Sequence, residues 1–191
     1  MTIWFTADTH FGHANIIRYC ERPFASVQEM DEALIENWND VIKPKDTIYH
    51  LGDFTLTGQE GANLYFSRLN GMISLIPGGH DKRWVRKGEY RSKSGYAIKI
   101  LPPLYTIKLP ILGRDQLKLI VLCHYSMRVW DRSHYGSWHL YGHSHGNLPS
   151  LKNSLDVGVD RWDYQPVSIE SIYQAIRDLK SVSEQGAEGG L

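Results

Sequence analysis

Ile3-Trp4-Phe5-Thr6-Ala7-Asp8-Thr9-His10 decides the reading of this chain: an apolar, β-rich run ends in an aspartate and a histidine two residues apart. The pattern recurs four more times. Thr47 to Leu51 leads into Gly52-Asp53, Met72 to Ile76 into Pro77-Gly78-Gly79-His80-Asp81, Leu117 to Cys123 into His124, and Trp138 to Tyr141 into Gly142-His143-Ser144-His145. Each run predicts a strand. The polar residues after it therefore sit on a loop at a strand end, where a rigid sheet can aim several loops at one point.

Helix signals lie between and beyond these runs. Ser26-Val27-Gln28-Glu29 is a capping box, opening a helix whose apolar stripe is Met30, Leu34, Ile35, Trp38 and Val41 and which Pro44 stops. Gly61 to Leu69 predicts another helix, and Ile169 to Leu179 a last one with Ile169, Ile172, Tyr173 and Ile176 on one face. Ala97 to Ile100, Tyr105 to Leu109, Leu117 to Leu122 and Trp138 to Tyr141 follow one another with turn residues between, which predicts a second, more antiparallel sheet. The fold class is α/β, with residues 1–180 expected to form a single domain and the small, polar, glycine-rich 181–191 a disordered tail.

Lysine plus arginine total 21 and aspartate plus glutamate 21, so no global charge draws the protein to nucleic acid or an anionic membrane. Any phosphate affinity must be local. Cys20 and Cys123 are isolated, the chain opens on a strand-like segment rather than a signal sequence, and no apolar stretch is long enough to span a bilayer. A cytoplasmic protein is expected, with its oligomeric state open.

The polar islands use metal-ligand residue types at ligand spacing. Asp8 and His10, two apart, would share a face if the strand continued through them and could grip one ion together; His143 and His145 repeat that spacing, with Gly142 allowing close backbone approach. Asp53 is the best candidate to bridge two cations, because one carboxylate can serve both and offset their repulsion. Metal ions roughly 3.5–4 Å apart can hold a hydroxide nucleophile and stabilise the charge that builds on a phosphoryl group in in-line displacement. The islands together read as a two-metal hydrolase centre.

The ordered set D-x-H, G-D, G-N-H-D/E, H, G-H-x-H resembles that of the calcineurin-like metallophosphoesterases, and here it runs from Asp8 to His145. The resemblance implies two stacked mixed β-sheets flanked by helices, a four-layer sandwich, and a metal-dependent phosphoesterase. It implies that Asp8, His10, Asp53 and His145 hold one metal and Asp53, His124 and His143 the other. His80 would stand beside the leaving-group oxygen as general acid or electrostatic stabiliser, oriented by Asp81. Two divalent ions are expected, Mn²⁺ first, with Fe, Zn²⁺ or Ni²⁺ as alternatives. In one place the chain departs from the pattern. Gly79 stands where the family has an asparagine whose amide oxygen ligates the second metal, so that site is weakened unless water, another side chain or a backbone carbonyl takes the position.

The substrate is expected to be a phosphate ester, a diester in preference to a monoester, with nucleotides and nucleic acids within the class. A phosphomonoesterase is the alternative enzyme, and a metal-stabilised binding module with little or no turnover the alternative of another kind. His13, Arg83 and Arg128 are candidate substrate contacts, with Trp130 beside them on the rim. The basic segment Lys82 to Lys93, with Trp84 and Tyr90 interleaved, reads first as a solvated loop and alternatively as a contact to a nucleic-acid backbone. His50, His134 and His139 read as structural, and Cys123 as a core thiol.

Overall fold

The computed structural model describes residues 1–86, 88–110, 117–149 and 151–188, so Lys87 of the basic segment lies outside the described residues. The five strand-like runs become β1 (Ile3–Thr6), β2 (Thr47–His50), β3 (Met72–Leu75), β6 (Leu117–Cys123) and β7 (Trp138–Tyr141). Between and after them come α1 (Ala14–Tyr19), α2 (Val27–Val41), α3 (Gly58–Phe66), β4 (Lys99–Ile100), β5 (Leu104–Pro110), β8 (Ser154–Asp156), β9 (Val167–Ser168) and α4 (Ile169–Glu188). The capping box at Ser26 forms. Ser26 Oγ accepts the Glu29 N–H at 3.1 Å, and Glu29 Oε2 reaches back to the Ala25 N–H at 2.8 Å, satisfying two donors that the first turn of α2 would otherwise strand.

The strands form two mixed sheets, ordered β4-β3-β2-β1-β9 and β5-β6-β7-β8. Two expectations need correction. β4 pairs parallel with β3 in the first sheet rather than joining the second, and the second sheet is antiparallel only between β5 and β6, with β6, β7 and β8 parallel. All four residues of β7 are buried, and a strand covered on both faces belongs to a parallel arrangement. An apolar run records that burial but not the direction of its neighbour.

Phe5, Leu51 and Ile76 of the first sheet and its flanks meet Ile107, Ile120, Leu122, Trp138, Leu140 and Leu155 of the second in one core between the sheets. Ile172 and Ile176 of α4 join that core where β1, β8 and β9 meet. On the other face of the first sheet, Ile48 and Ile73 pack with Met30, Leu34 and Trp38 of α2 and Ala62 and Phe66 of α3. The helix α4 continues past Leu179 to Glu188, so the segment expected to be a disordered tail is helical there; 189–191 lie outside the described residues. Among the described residues, no helix is long and apolar enough to cross a membrane.

Register brings the strand ends level. Thr6 pairs with His50 and His50 with Leu75 in the first sheet, and Tyr141 pairs with Asp156 in the second. An isolated parallel bridge from Ala7 to Gly158 joins the two sheets at this edge. The loops after β1, β2, β3, β6 and β7 therefore all leave the same end of the stack, the carboxyl edge at which α/β sheets place their sites.

Candidate metal centre

Asp8 lies two residues past β1, Asp53 three past β2, His124 directly after β6 and His143 two past β7. Asp8, His10, Asp53, His143 and His145 all take positive φ, between 48° and 67°. Non-glycine residues rarely adopt this left-handed conformation, and its concentration at one site marks backbone that its surroundings hold in place for a purpose. Asp8 and His10 thus converge through two left-handed kinks rather than through the strand alternation that their spacing suggested.

Backbone bonds tie the loops together. Asp8 N–H donates to Gly52 O at 3.0 Å, His10 N–H to Asp53 O at 3.0 Å, and His143 N–H to Asp8 Oδ2 at 2.7 Å. Packing here is close: a Cβ at Gly52 would fall 2.5 Å from Gly78 N, and one at Gly142 2.7 Å from Asp8 Oδ2. Glycine is required at both positions to let the chains approach.

Two of the possible donor sets are Asp8 with His10 and His145, and Asp53 with His124 and His143, the ligand atoms of each lying within 4.8 Å of one another; His10, Asp53 and His80 form a further such group between them. Asp53 Oδ2 faces three imidazoles, with Nε2 of His124 at 3.4 Å and those of His10 and His80 at 3.8 Å. These separations are long for hydrogen bonds and suit donors that would share an ion about 2.1 Å from each. Asp53 Oδ1 accepts the His80 N–H at 2.9 Å, which leaves Oδ2 as the oxygen turned to the rings.

The chemistry of the donors fits a divalent cation. Asp8 Oδ1, both ring nitrogens of His10 and His124 Nε2 are buried without a hydrogen-bond partner, a costly arrangement for polar atoms unless something else binds them. Burial pushes the Asp8 carboxyl up to about 7 against the pull of His124 and His145, and drives His10 down to about 2. Burial also opposes ionisation of Asp53, but His124, the His80 amide and His10 outweigh it and hold that carboxyl below the usual range. Burial favours the neutral, metal-binding form of His10 and His143, whereas at His124 and His145 burial is outweighed by the neighbouring carboxylates of Asp53 and Asp160, which raise the pKa.

Second partners fix the donors' orientation. His124 Nδ1 bonds Leu51 O at 2.7 Å, directing Nε2 to Asp53. His145 Nδ1 meets Asp160 Oδ2 at 2.7 Å, and the same carboxylate receives Arg22 Nε at 2.7 Å. Arg22, itself buried, donates on to Asp8 O at 2.7 Å and Thr9 O at 3.1 Å. Asp156 accepts Ser144 Oγ–H and the Gly146 N–H, pinning the loop after β7. Asp160, Arg22 and Asp156 are site residues that sequence reading missed, because none lies in a ligand-spaced island. Cys20 also approaches His145 and Asp160, although the sequence shows it as isolated.

Asp81 has a different part from the expected one. Rather than orienting the His80 ring, its buried carboxylate accepts three backbone N–H groups, from Asp53 at 2.8 Å, Phe54 at 3.0 Å and Gly78 at 2.9 Å. It clamps the loops after β2 and β3. The His80 side chain is 46% exposed, its ring 5.4 Å from that of His10 and 6.1 Å from that of His13. His13 thereby joins the site. A cavity of about 590 Å³ opens beside His80, lined also by Leu56, Thr57, Gly79 and Arg83. Arg83 lines this cavity, and Arg128 is exposed and not among the residues that line it.

Trp84 and Tyr90 of the basic segment are buried in the helix-side core, and Trp84 also lines the cavity beside His80. Trp130, half-buried, bonds Ser137 O and packs on His139. His139 bonds Val121 O and Met127 N–H, and His50 pairs with Thr9 Oγ1 at 3.0 Å. Cys123 is only partly buried.

A family model for calcineurin-like phosphoesterases matches residues 1–147. An uncharacterized protein of Methanocaldococcus jannaschii is 32% identical across an alignment of 192 positions that covers 94% of each chain. The gene 66 protein of Mycobacterium phage L5 is 26% identical across an alignment of 198 positions that covers 92% of this chain and 94% of its own. The crystal structure of a protein of unknown function from Aquifex aeolicus, 25% identical, superposes with a TM-score of 0.65 over 92% of this chain and 99% of that one.

Proposed function

This chain belongs to the calcineurin-like phosphoesterase family, a class of metal-dependent phosphoester hydrolases, and from that premise we propose that it hydrolyses phosphodiesters in preference to monoesters at a centre of two divalent cations, Mn²⁺ first among them. Asp8, His10, Asp53 and His145 would hold one cation, and Asp53, His124 and His143 the other. Cations bound there would supply a nucleophile at neutral pH and Lewis-acid stabilisation of charge on the phosphoryl group. The observation that carries the reading is the place of Asp53 Oδ2, turned to imidazoles of both donor sets.

The remaining steps belong to side chains. His80, exposed and beside the cavity, is placed to give a proton to the departing ester oxygen. His13 and Arg83 flank it as contacts for the non-reacting part of the substrate. Room beside His80 for a second ester substituent supports the diester preference.

The test is to assay the protein, loaded in turn with Mn²⁺, Ni²⁺, Zn²⁺ and Mg²⁺, on an aryl phosphodiester and the matching monoester. Faster diester cleavage is expected, nearly abolished together with loss of bound metal in Asp53→Asn, whose amide carries no charge to offset two cations. Faster monoester cleavage would make the protein a phosphomonoesterase. Metal binding without turnover of either compound would make it a binding module.

A further inference from the structure

Position 79 is the place where the donor inventory of the centre falls short, since glycine offers no side-chain ligand. A Cβ built at Gly79 would lie 3.3 Å from the Tyr125 hydroxyl and 3.9 Å from Asp53 Oδ1. A side chain at 79 would therefore begin beside Asp53, with the Tyr125 phenol oxygen in contact with its first carbon. At 3.3 Å the contact is tight, and the hydroxyl would have to shift by a few tenths of an ångström to admit a side chain there. The Tyr125 ring is held edge-on against both histidines of that set, its centroid 4.7 Å from His124 at 74° and 4.8 Å from His143 at 71°.

We propose that Tyr125 replaces the missing side chain of position 79, its hydroxyl oxygen completing the cation site formed by Asp53, His124 and His143. The inference rests on the two-cation reading of the function and adds a ligand to it. A protonated phenol oxygen is a hard, uncharged donor like the amide oxygen it would replace, keeps its proton on binding through a lone pair, and suits the same oxygen- and nitrogen-preferring divalent ions. Glycine at 79 and tyrosine at 125 are then one arrangement: the first makes room and the second fills it.

Equilibrium titration with Mn²⁺, read as ions bound per chain and the affinity of each, tests this without recourse to turnover. Tyr125→Phe removes the oxygen and keeps the ring that packs on His124 and His143. It should leave the stronger site as it was and weaken the other by roughly 10- to 100-fold, the range seen when a metal site loses a supporting polar group. Adding Gly79→Asn to Tyr125→Phe should restore most of that affinity, because the amide then has the space the phenol oxygen held. The same Gly79→Asn in the parent chain should gain little. Unchanged affinities in Tyr125→Phe, or an equal gain from Gly79→Asn in both backgrounds, would overturn the role of Tyr125 while leaving two-cation binding intact. A parent chain that binds fewer than two ions at saturating Mn²⁺ would instead overturn the two-cation reading, and this inference with it.

Discussion

At Asp160 one carboxylate serves two partners, the half-buried His145 ring and the buried Arg22 guanidinium, and through Arg22 it also holds the carbonyl of Asp8. Asp160→Ala would leave a buried arginine without its counter-charge, a change that typically costs about 3–5 kcal/mol, and would free the His145 ring to turn. Denaturant unfolding should report that loss of stability, and metal titration an affinity lowered roughly 10- to 100-fold. A stable variant with normal metal affinity would remove Asp160 from the centre's support. His80 is the opposite case, exposed and able to act on substrate without holding the fold. His80→Ala should keep its metal content and lose roughly 10²- to 10⁴-fold in rate, with a smaller loss for leaving groups of low pKa. An equal loss along a leaving-group series would rule out proton donation.

Among the elements, the decisive link is the clamp between the loops after β2 and β3. Asp81 alone accepts the N–H groups of Asp53, Phe54 and Gly78, so Asp81→Ala strands three buried donors. Each unsatisfied donor costs about 1–3 kcal/mol, and a total destabilisation of roughly 3 kcal/mol or more is expected. Hydrogen exchange should quicken at those three amides before the rest of the first sheet is affected; uniform exchange rates across the sheet would show that the clamp is not local. The apolar, β-rich runs of the sequence revealed β1, β2, β3, β6 and β7, but not β8 or β9, of three and two residues. Strands so short carry no measurable alternation. Helix α1, of six residues, escaped for the same reason.

The whole molecule joins the metal centre to its stability, because the donors come from loops of both sheets and from the Ala7–Gly158 edge that ties the sheets together. A cation that binds only the folded chain adds about 2.7 kcal/mol at a concentration 100-fold above its dissociation constant. Chelation should therefore lower the thermal midpoint, and added Mn²⁺ should restore it in proportion to the logarithm of its free concentration. A midpoint indifferent to chelator and to Mn²⁺ alike would mean that the donor sets bind no ion.

The sequence by itself determined that strands end in D-x-H, G-D, G-G-H-D, H and G-H-S-H, and so which residue types stand at the carboxyl edge. Local pattern suffices there, because an apolar run and the polar residues that follow it are read from the same short stretch. Strand direction in the second sheet, the left-handed backbone of Asp8 and His10, the clamp at Asp81 and the support from Asp160 and Arg22 came only with the folded chain. Each depends on groups distant along the sequence, such as Arg22 and Asp160, 138 positions apart. No local periodicity encodes a bond between side chains that only the stacking of two sheets brings within 2.7 Å.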